Sequence, residues 1–112
     1  MKTITSRDIE LLNNLAALQI SCGRPQSSLP LLHLAFKLDE RDPQTNYLLA
    51  NAYLRLQEYE NSAKYFDLFE KAKKQHTSMS ELIMKSIVQL KNGEFSEAKN
   101  TFMSAVTGSY PT

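Results

Sequence analysis

Apolar residues recur at helical spacing along almost the whole chain. In the first segment they are Ile9, Leu12, Leu15, Ala16 and Ile20, and in the middle segment they are Leu48, Leu49, Ala52, Tyr53 and Leu56. A period of three to four residues places such a set on one face of a helix. Sustained two-residue alternation, which would indicate strands, is hard to find. The pattern therefore predicts an all-α chain.

Capping residues divide this pattern into six predicted helices. The helix-start signals are Thr5 for the first helix, Asp42 followed by proline for the third, and Ser78 with Glu81 for the fifth. The short turns "CGRPQSS", "LQEYENS" and "KNGEFSE" then join each of these helices to the next one. Short turns connect antiparallel neighbours, so the sequence predicts three helical hairpins.

The hairpin turns are spaced as in a repeat. Gly23, Gln57 and Gly93 lie 34 and 36 residues apart, with two extra residues in the polar connector "KKQHTSMS". At matching offsets after each turn come Leu32, Phe66 and Phe102, and then Ala35, Phe69 and Ala105. This period, with small and aromatic residues at fixed places, resembles the tetratricopeptide repeat.

The resemblance implies one domain of three tetratricopeptide-like hairpins, six antiparallel helices in a short right-handed superhelix. The repeats are expected at about residues 6–41, 42–76 and 78–107. Stacking buries the apolar faces that a single hairpin leaves exposed. The first repeat departs from the pattern because Pro30 lies inside its second helix. That helix is predicted either to begin late, near Ser27 or Ser28, or to be kinked.

Composition and charge mainly exclude classes of partner and of cellular location. The 112 residues include 13 Lys and Arg against 12 Asp and Glu, so no strong net field attracts phosphate backbones or anionic membranes. The single cysteine, Cys22, fits a reducing compartment, and the N-terminal segment lacks the apolar run of a signal peptide. We expect a soluble cytoplasmic protein without a nucleic-acid partner and without direct membrane insertion.

Residues that could carry catalysis are sparse. His33 and His76 lie 43 residues apart, and neither has a second type of metal ligand at helical spacing, so we expect His33 to be a structural histidine. No phosphate-binding glycine loop, G-x-S-x-G or H-E-x-x-H motif occurs. We therefore expect no catalytic residue, no metal and no cofactor. The alternative is an enzyme whose polar groups converge only in space, such as His33 beside Glu10.

The tetratricopeptide resemblance also implies a partner-binding groove, because the first helix of each repeat lines a concave surface. The expected lining residues are Ala17, Ile20, Tyr47, Leu48, Asn51, Leu54, Ile83, Met84, Ile87 and Leu90. Most of them are apolar, and a large exposed apolar surface in a soluble protein marks a partner site. The expected ligand is an amphipathic helix or an extended apolar peptide, with Met84 adapting to its shape. The alternative is that these side chains pack on one another.

The last predicted helix raises a second expectation. Four residues, Glu94, Phe95, Ala98 and Phe102, are expected to hold the third hairpin together. Phe102, Met103 and Val106 are expected to form an outer face without a covering helix. Self-association or a partner could cover this face.

The run "IELLNNLAALQISCGRPQSSLPLLHLAFKLD", Ile9 to Asp39, resembles the start of the YscY-type chaperones of bacterial type III secretion. It holds an apolar helix that ends in Cys-Gly and a leucine-rich helix that ends before an acidic turn. The resemblance implies a bacterial cytoplasmic chaperone that forms a heterodimer with the small secreted X protein and docks with it at the export gate of the inner membrane. Chaperones of the needle subunit or of the translocators are alternatives within this class. A scaffold without a secreted client is the alternative outside it.

Overall fold

A computed structural model describes residues 6–72 and 79–107, and regular structure in this part of the chain is entirely helical. The six helices are α1 Ser6–Ser21, α2 Pro25–Leu38, α3 Pro43–Arg55, α4 Tyr59–Ala72, α5 Met79–Lys91 and α6 Phe95–Thr107. α1 packs against α2, α3 against α4, and α5 against α6. The predicted all-α class and the three helical hairpins are confirmed.

The predicted helix start at Asp42 is confirmed in detail. The Asp42 carboxylate accepts a hydrogen bond from the backbone N–H of Thr45 at 3.0 Å, and Pro43 occupies the first helical position. This cap satisfies one of the amide groups that a helix leaves without an internal partner at its start. The predicted caps at Thr5 and Ser78 lie outside the described residues.

The three hairpin turns share one backbone geometry. Gly23, Gln57 and Gly93 each have a positive φ, of 78°, 64° and 81°. In each turn the following residue donates its backbone N–H to a carbonyl five residues earlier at 2.9 Å, and the pairs are Arg24 to Gln19, Glu58 to Tyr53 and Glu94 to Gln89. This is the Schellman motif, which ends a helix through one left-handed residue. The three turn positions chosen from the sequence are thus equivalent in the structure.

Helix α2 begins at Pro25, so the predicted late start near Ser27 or Ser28 is wrong. Proline is well suited to the first position of a helix, where its missing N–H is not needed. The buried hydroxyl of Ser28 donates to the carbonyl of Pro25 at 2.6 Å. Pro30 then lies within the helix but is exposed, as is Gln26, whose carbonyl it cannot bond, so water can reach that carbonyl.

Small buried residues lie where the two helices of each hairpin meet. They form three pairs, each 12 residues apart: Ala16 with Ser28, Ala50 with Ser62, and Ser86 with Ala98. The Ser62 hydroxyl donates to the Ala50 carbonyl at 2.8 Å, which shows that α3 and α4 touch at this point. Small side chains let the two helix backbones approach each other closely.

The chain divides into two compact units, Met1–Lys73 and Lys74–Thr112. In the first unit α3 packs on α1 and α2 as well as on α4, and the buried residues include Ala16, Ile20, Leu32, Leu49 and Phe66. In the second unit the buried residues include Leu82, Met84, Val88, Ala98 and Ala105. The single domain expected from the sequence stays a prediction. Within the described residues, no helix combines the length and the apolarity needed to cross a bilayer.

Candidate protein-binding surfaces

Helix α5 carries apolar residues on two faces. Leu82 and Val88 are buried in the second unit, whereas Ile83, Ile87 and Leu90 are 36%, 40% and 50% exposed. The exposed three are spaced i, i+4 and i+7, so they form one stripe along the helix. A stripe of this kind is the pattern by which one helix docks on another.

An apolar groove lies between α5 and α6 beside this stripe. It encloses about 390 Å³ and is lined by Ser86, Ile87, Leu90, Phe95, Ala98, Lys99 and Phe102. Phe95 is 68% exposed and Phe102 is 48% exposed, so both rings border the opening rather than fill the interior. The two rings therefore do not fill the hairpin as expected, whereas Ala98, which was predicted in the same set, is buried, as is Ala105.

The outer face of α6 is exposed, as the sequence predicts. Met103 is 49% exposed and Val106 is 61% exposed. Together with Phe102, which also borders the groove, they give α6 an exposed apolar surface. Exposed apolar residues that lie close together are unusual in a monomer and are typical of interaction sites.

The groove residues predicted in the second unit do not all reach the surface. Ile83, Ile87 and Leu90 are exposed, but Met84 is only 8% exposed. Met84 is adjacent in sequence to Ile83 of the exposed stripe, but its side chain is buried. It is therefore not available to adapt to a partner, and this part of the prediction is wrong.

The groove residues predicted in the first unit are mostly engaged within the protein. Ile20 and Leu48 are 3% and 5% exposed, so they belong to the core and not to a binding surface. Tyr47 is half-buried, with its ring centroid 5.2 Å from that of Phe69. Asn51 accepts a hydrogen bond from Arg55 at 3.2 Å, and Ala17 and Leu54 are half-buried. A groove that joins residues of both units stays a prediction.

Helix α1 carries an apolar stripe that the sequence analysis missed. Leu11, Leu15 and Leu18 are spaced i, i+4 and i+7 and are 59%, 44% and 59% exposed. The sequence pattern groups Leu15 with Leu12, Ala16 and Ile20 on one apolar face, because α1 holds leucines on more than one face. Periodicity alone cannot decide which of two apolar faces is buried.

His33 belongs to a cluster of rings in the first unit. It shares a hydrogen bond of 2.7 Å with the Tyr53 hydroxyl, and its ring meets those of Tyr53 and Tyr65 edge to face at 6.0 and 6.2 Å. Burial lowers the pKa of His33, and the nearby Lys37 and Lys64 lower it further. Burial raises the pKa of both tyrosines. The cluster thus favours a neutral imidazole held by structural contacts.

Glu10, considered above as a catalytic partner of His33, lies elsewhere. It lines a polar depression of about 270 Å³ with Ile9, Asn13, Asn14, Asp39, Asp42 and Gln44. Asn13 is only 4% exposed and donates to the Asp42 carboxylate at 3.0 Å, while the Thr45 hydroxyl lies 3.0 Å from Asn13 Oδ1. These contacts connect α1 to the start of α3. Among the described residues, no group of three His, Cys, Asp or Glu side chains is arranged to hold a metal ion.

Comparison with known proteins supports the repeat. A family model described as the tetratricopeptide repeat matches residues 43–76, which span α3, the Gln57 turn and α4. No curated protein matches the chain. The match and the six-helix architecture together support a tetratricopeptide-like protein. Repeats of this type generally serve as non-enzymatic scaffolds that bind other proteins.

Proposed function

We propose that this protein is a type III secretion chaperone that binds an apolar helical segment of a small secreted partner. The observation that carries the proposal is the exposed stripe of Ile83, Ile87 and Leu90 on α5. An amphipathic helix recognises such a surface through its own apolar residues at i, i+3 or i+4, and i+7. The first helix of a tetratricopeptide hairpin is also where the sequence analysis places the binding face.

The energetics of the stripe suit a helical ligand. Full burial of an Ile or Leu side chain contributes about 1.5–3 kcal/mol. Because these three side chains are already half covered, a partner helix gains about half of that value at each one. An apolar helix bound in this way is kept from aggregating until it is exported.

The secretion context rests on the resemblance of Ile9 to Asp39 to the YscY-type chaperones. That resemblance supports an obligate heterodimer with a client like the X protein, which the pair delivers to the export gate at the inner membrane. A client like the needle subunit would use the same stripe. A scaffold that binds a permanent subunit is the competing function, and the repeat match fits it equally well.

Co-expression with candidate clients tests the proposed site. The full chain is produced with each small secreted protein encoded beside it, and complex yield and client solubility are measured. We expect Ile83→Asp and Ile87→Asp to reduce both. Leu34→Asp is the matched control, since Leu34 is an apolar residue on α2 that is 50% exposed and does not belong to the stripe. Unchanged yield with both stripe variants, each folded by circular dichroism, contradicts the site.

Identification of the copurified partner separates the two functions. The chaperone function predicts a short protein that is later found outside the cell and that precipitates when produced alone. If the only stable partner is a subunit that stays in a permanent assembly, the protein is a scaffold and the secretion proposal is wrong.

A further inference from the structure

The contact between α3 and the first hairpin shows how hairpins of this chain receive a further helix. Thr45, Leu49 and Ala52 lie at i, i+4 and i+7 on α3, and all three are fully buried. The Thr45 hydroxyl lies 3.0 Å from Asn13 Oδ1 of α1, so this face of α3 is turned toward the first hairpin. We call these three residues the docking face of α3.

The surface that receives α3 is also defined by burial. Helix α3 packs on both α1 and α2. In those two helices Ile20 is 3% exposed and Leu32 is fully buried, while Ala17 and Pro25 are half-buried. Because these residues lie on the two helices that α3 packs against and are covered in the structure, we assign them to the receiving surface of the first hairpin.

The repeat places an equivalent of the docking face on α1. Leu11, Leu15 and Leu18 each lie 34 residues before Thr45, Leu49 and Ala52. The α3 residues are buried, but the three leucines are 59%, 44% and 59% exposed. Within the described residues of the first unit, the α1 stripe is therefore a docking face that is left open.

The repeat also places an equivalent of the receiving surface on the last hairpin. Ile87, Leu90, Phe95 and Phe102 each lie 70 residues after Ala17, Ile20, Pro25 and Leu32. All four line the open groove between α5 and α6. Within the described residues of the second unit, the groove is therefore a receiving surface that is left open.

We propose that the α1 stripe of one copy docks into the α5–α6 groove of a second copy, in the way that α3 docks on the first hairpin. The two surfaces are complementary because each is the repeat equivalent of one side of an interface that already exists within the chain. The contact is heterologous: it joins two different surfaces, and each added copy brings a free stripe and a free groove. Self-association therefore proceeds head to tail beyond the dimer.

This assembly has a consequence that rests on the proposed function. Ile87 and Leu90 belong both to the client-binding stripe on α5 and to the groove, so one copy cannot hold a client helix and a second copy there at once. Ile83 belongs only to the stripe, whereas Phe95 and Phe102 belong only to the groove. Substitutions can therefore separate client binding from self-association.

The test compares the purified full chain with two single variants by sedimentation velocity over a range of concentrations. Leu11→Glu alters the stripe and Phe102→Glu alters the groove, and glutamate keeps helix propensity. We expect the unmodified chain to form dimers and larger species. Each variant should self-associate with a Kd at least about tenfold weaker. Leu34→Glu and Val106→Glu, at exposed apolar positions outside both surfaces, should behave as the unmodified chain does.

Mixing the two variants gives the decisive result. An equimolar mixture retains one intact stripe and one intact groove, so it should form a heterodimer and nothing larger. A monomeric unmodified chain at all concentrations overturns the proposal, and so does a mixture that stays monomeric while both variants are folded by circular dichroism. If Ile83→Asp abolishes client binding but leaves self-association intact, client binding and self-association are separate properties and both proposals are supported. If Ile83→Asp abolishes self-association, the assignment of the groove is wrong.

Discussion

Gln57 adopts the left-handed conformation that glycine takes in the other two hairpin turns. Its φ is 64°, and its side chain is exposed. The left-handed conformation is less stable by about 1–2 kcal/mol for a residue with a Cβ. Glycine lacks this strain, but it loses more conformational entropy on folding. We therefore expect Gln57→Gly to raise the free energy of unfolding by about 0.5–1 kcal/mol, measured by urea denaturation.

Gly23 supplies the matched control in the same unit. No atom lies within 4 Å of the place where a Cβ would stand, so Gly23→Ala adds backbone strain without a steric clash. We expect it to lower the free energy of unfolding by about 1 kcal/mol. A loss of stability in Gln57→Gly would show that the Gln57 side chain makes a contact worth more than the strain that its backbone carries.

The sequence identifies which residues share a helix face more reliably than it identifies which of them are buried. Ile20, Leu48 and Met84 were predicted on a partner-binding face and are buried, whereas Phe102 was predicted to hold a hairpin and is half exposed. Adjacent positions on a helix are separated by about 100°, so a large apolar side chain at the border can turn into the core. What covers such a side chain depends on helices distant in sequence.

At the element scale, Asn13 connects two repeats through side chains alone. Its amide donates to Asp42, and its carbonyl oxygen lies 3.0 Å from the Thr45 hydroxyl. Asn13→Ala removes both contacts between α1 and α3, one of them to a carboxylate, which costs about 1–3 kcal/mol, while Thr45 and Asp42 keep their hydrogen bonds to each other. The measurement is the shift in the denaturation midpoint. Asn14→Ala, at the adjacent exposed position, should change stability by no more than about 0.5 kcal/mol. Equal effects of the two variants contradict the proposed connection.

Local signals explain which elements could be predicted. Asp42 and the turns at Gly23, Gln57 and Gly93 use short-range hydrogen bonds, so residues adjacent in sequence define them. The start of α2 was mispredicted because the sequence contains two prolines in this segment, and only one can open a helix. Pro25 opens it, and Pro30 is tolerated because its side of the helix faces solvent. Solvent exposure of a helix face is a tertiary property.

At the scale of the whole molecule, the interaction surfaces could be predicted only in part. The exposure of Met103 and Val106 on α6 agrees with the prediction made from the repeat pattern. The exposure of the leucine stripe on α1 could not be predicted in this way, because the spacing of its leucines is the same as that of residues on a buried face. An exposed docking face is distinguished from a buried face by comparing Leu11, Leu15 and Leu18 with their equivalents on α3. That comparison needs the burial of the α3 residues, which only the structure gives.

The distribution of buried residues predicts unequal local stability along the chain. Helix α3 lies between α4 and the first hairpin and buries Thr45, Asn46, Leu48, Leu49, Ala50 and Ala52. Helix α6 buries Ala98 and Ala105 and exposes Phe95, Phe102 and Val106. Segments with few buried apolar contacts open at lower free energy than the core does.

Native-state hydrogen exchange measures this difference. We expect the amides of α6 to exchange at least about tenfold faster than those of α3, which corresponds to about 1.4 kcal/mol in opening free energy. The measurement uses Leu11→Glu, because a second copy docked in the groove would protect α6. The unmodified chain at high concentration should then show slower exchange in α6 and little change in α3. Equal protection of α3 and α6 in the variant would show that the chain opens as one cooperative unit and would contradict the prediction.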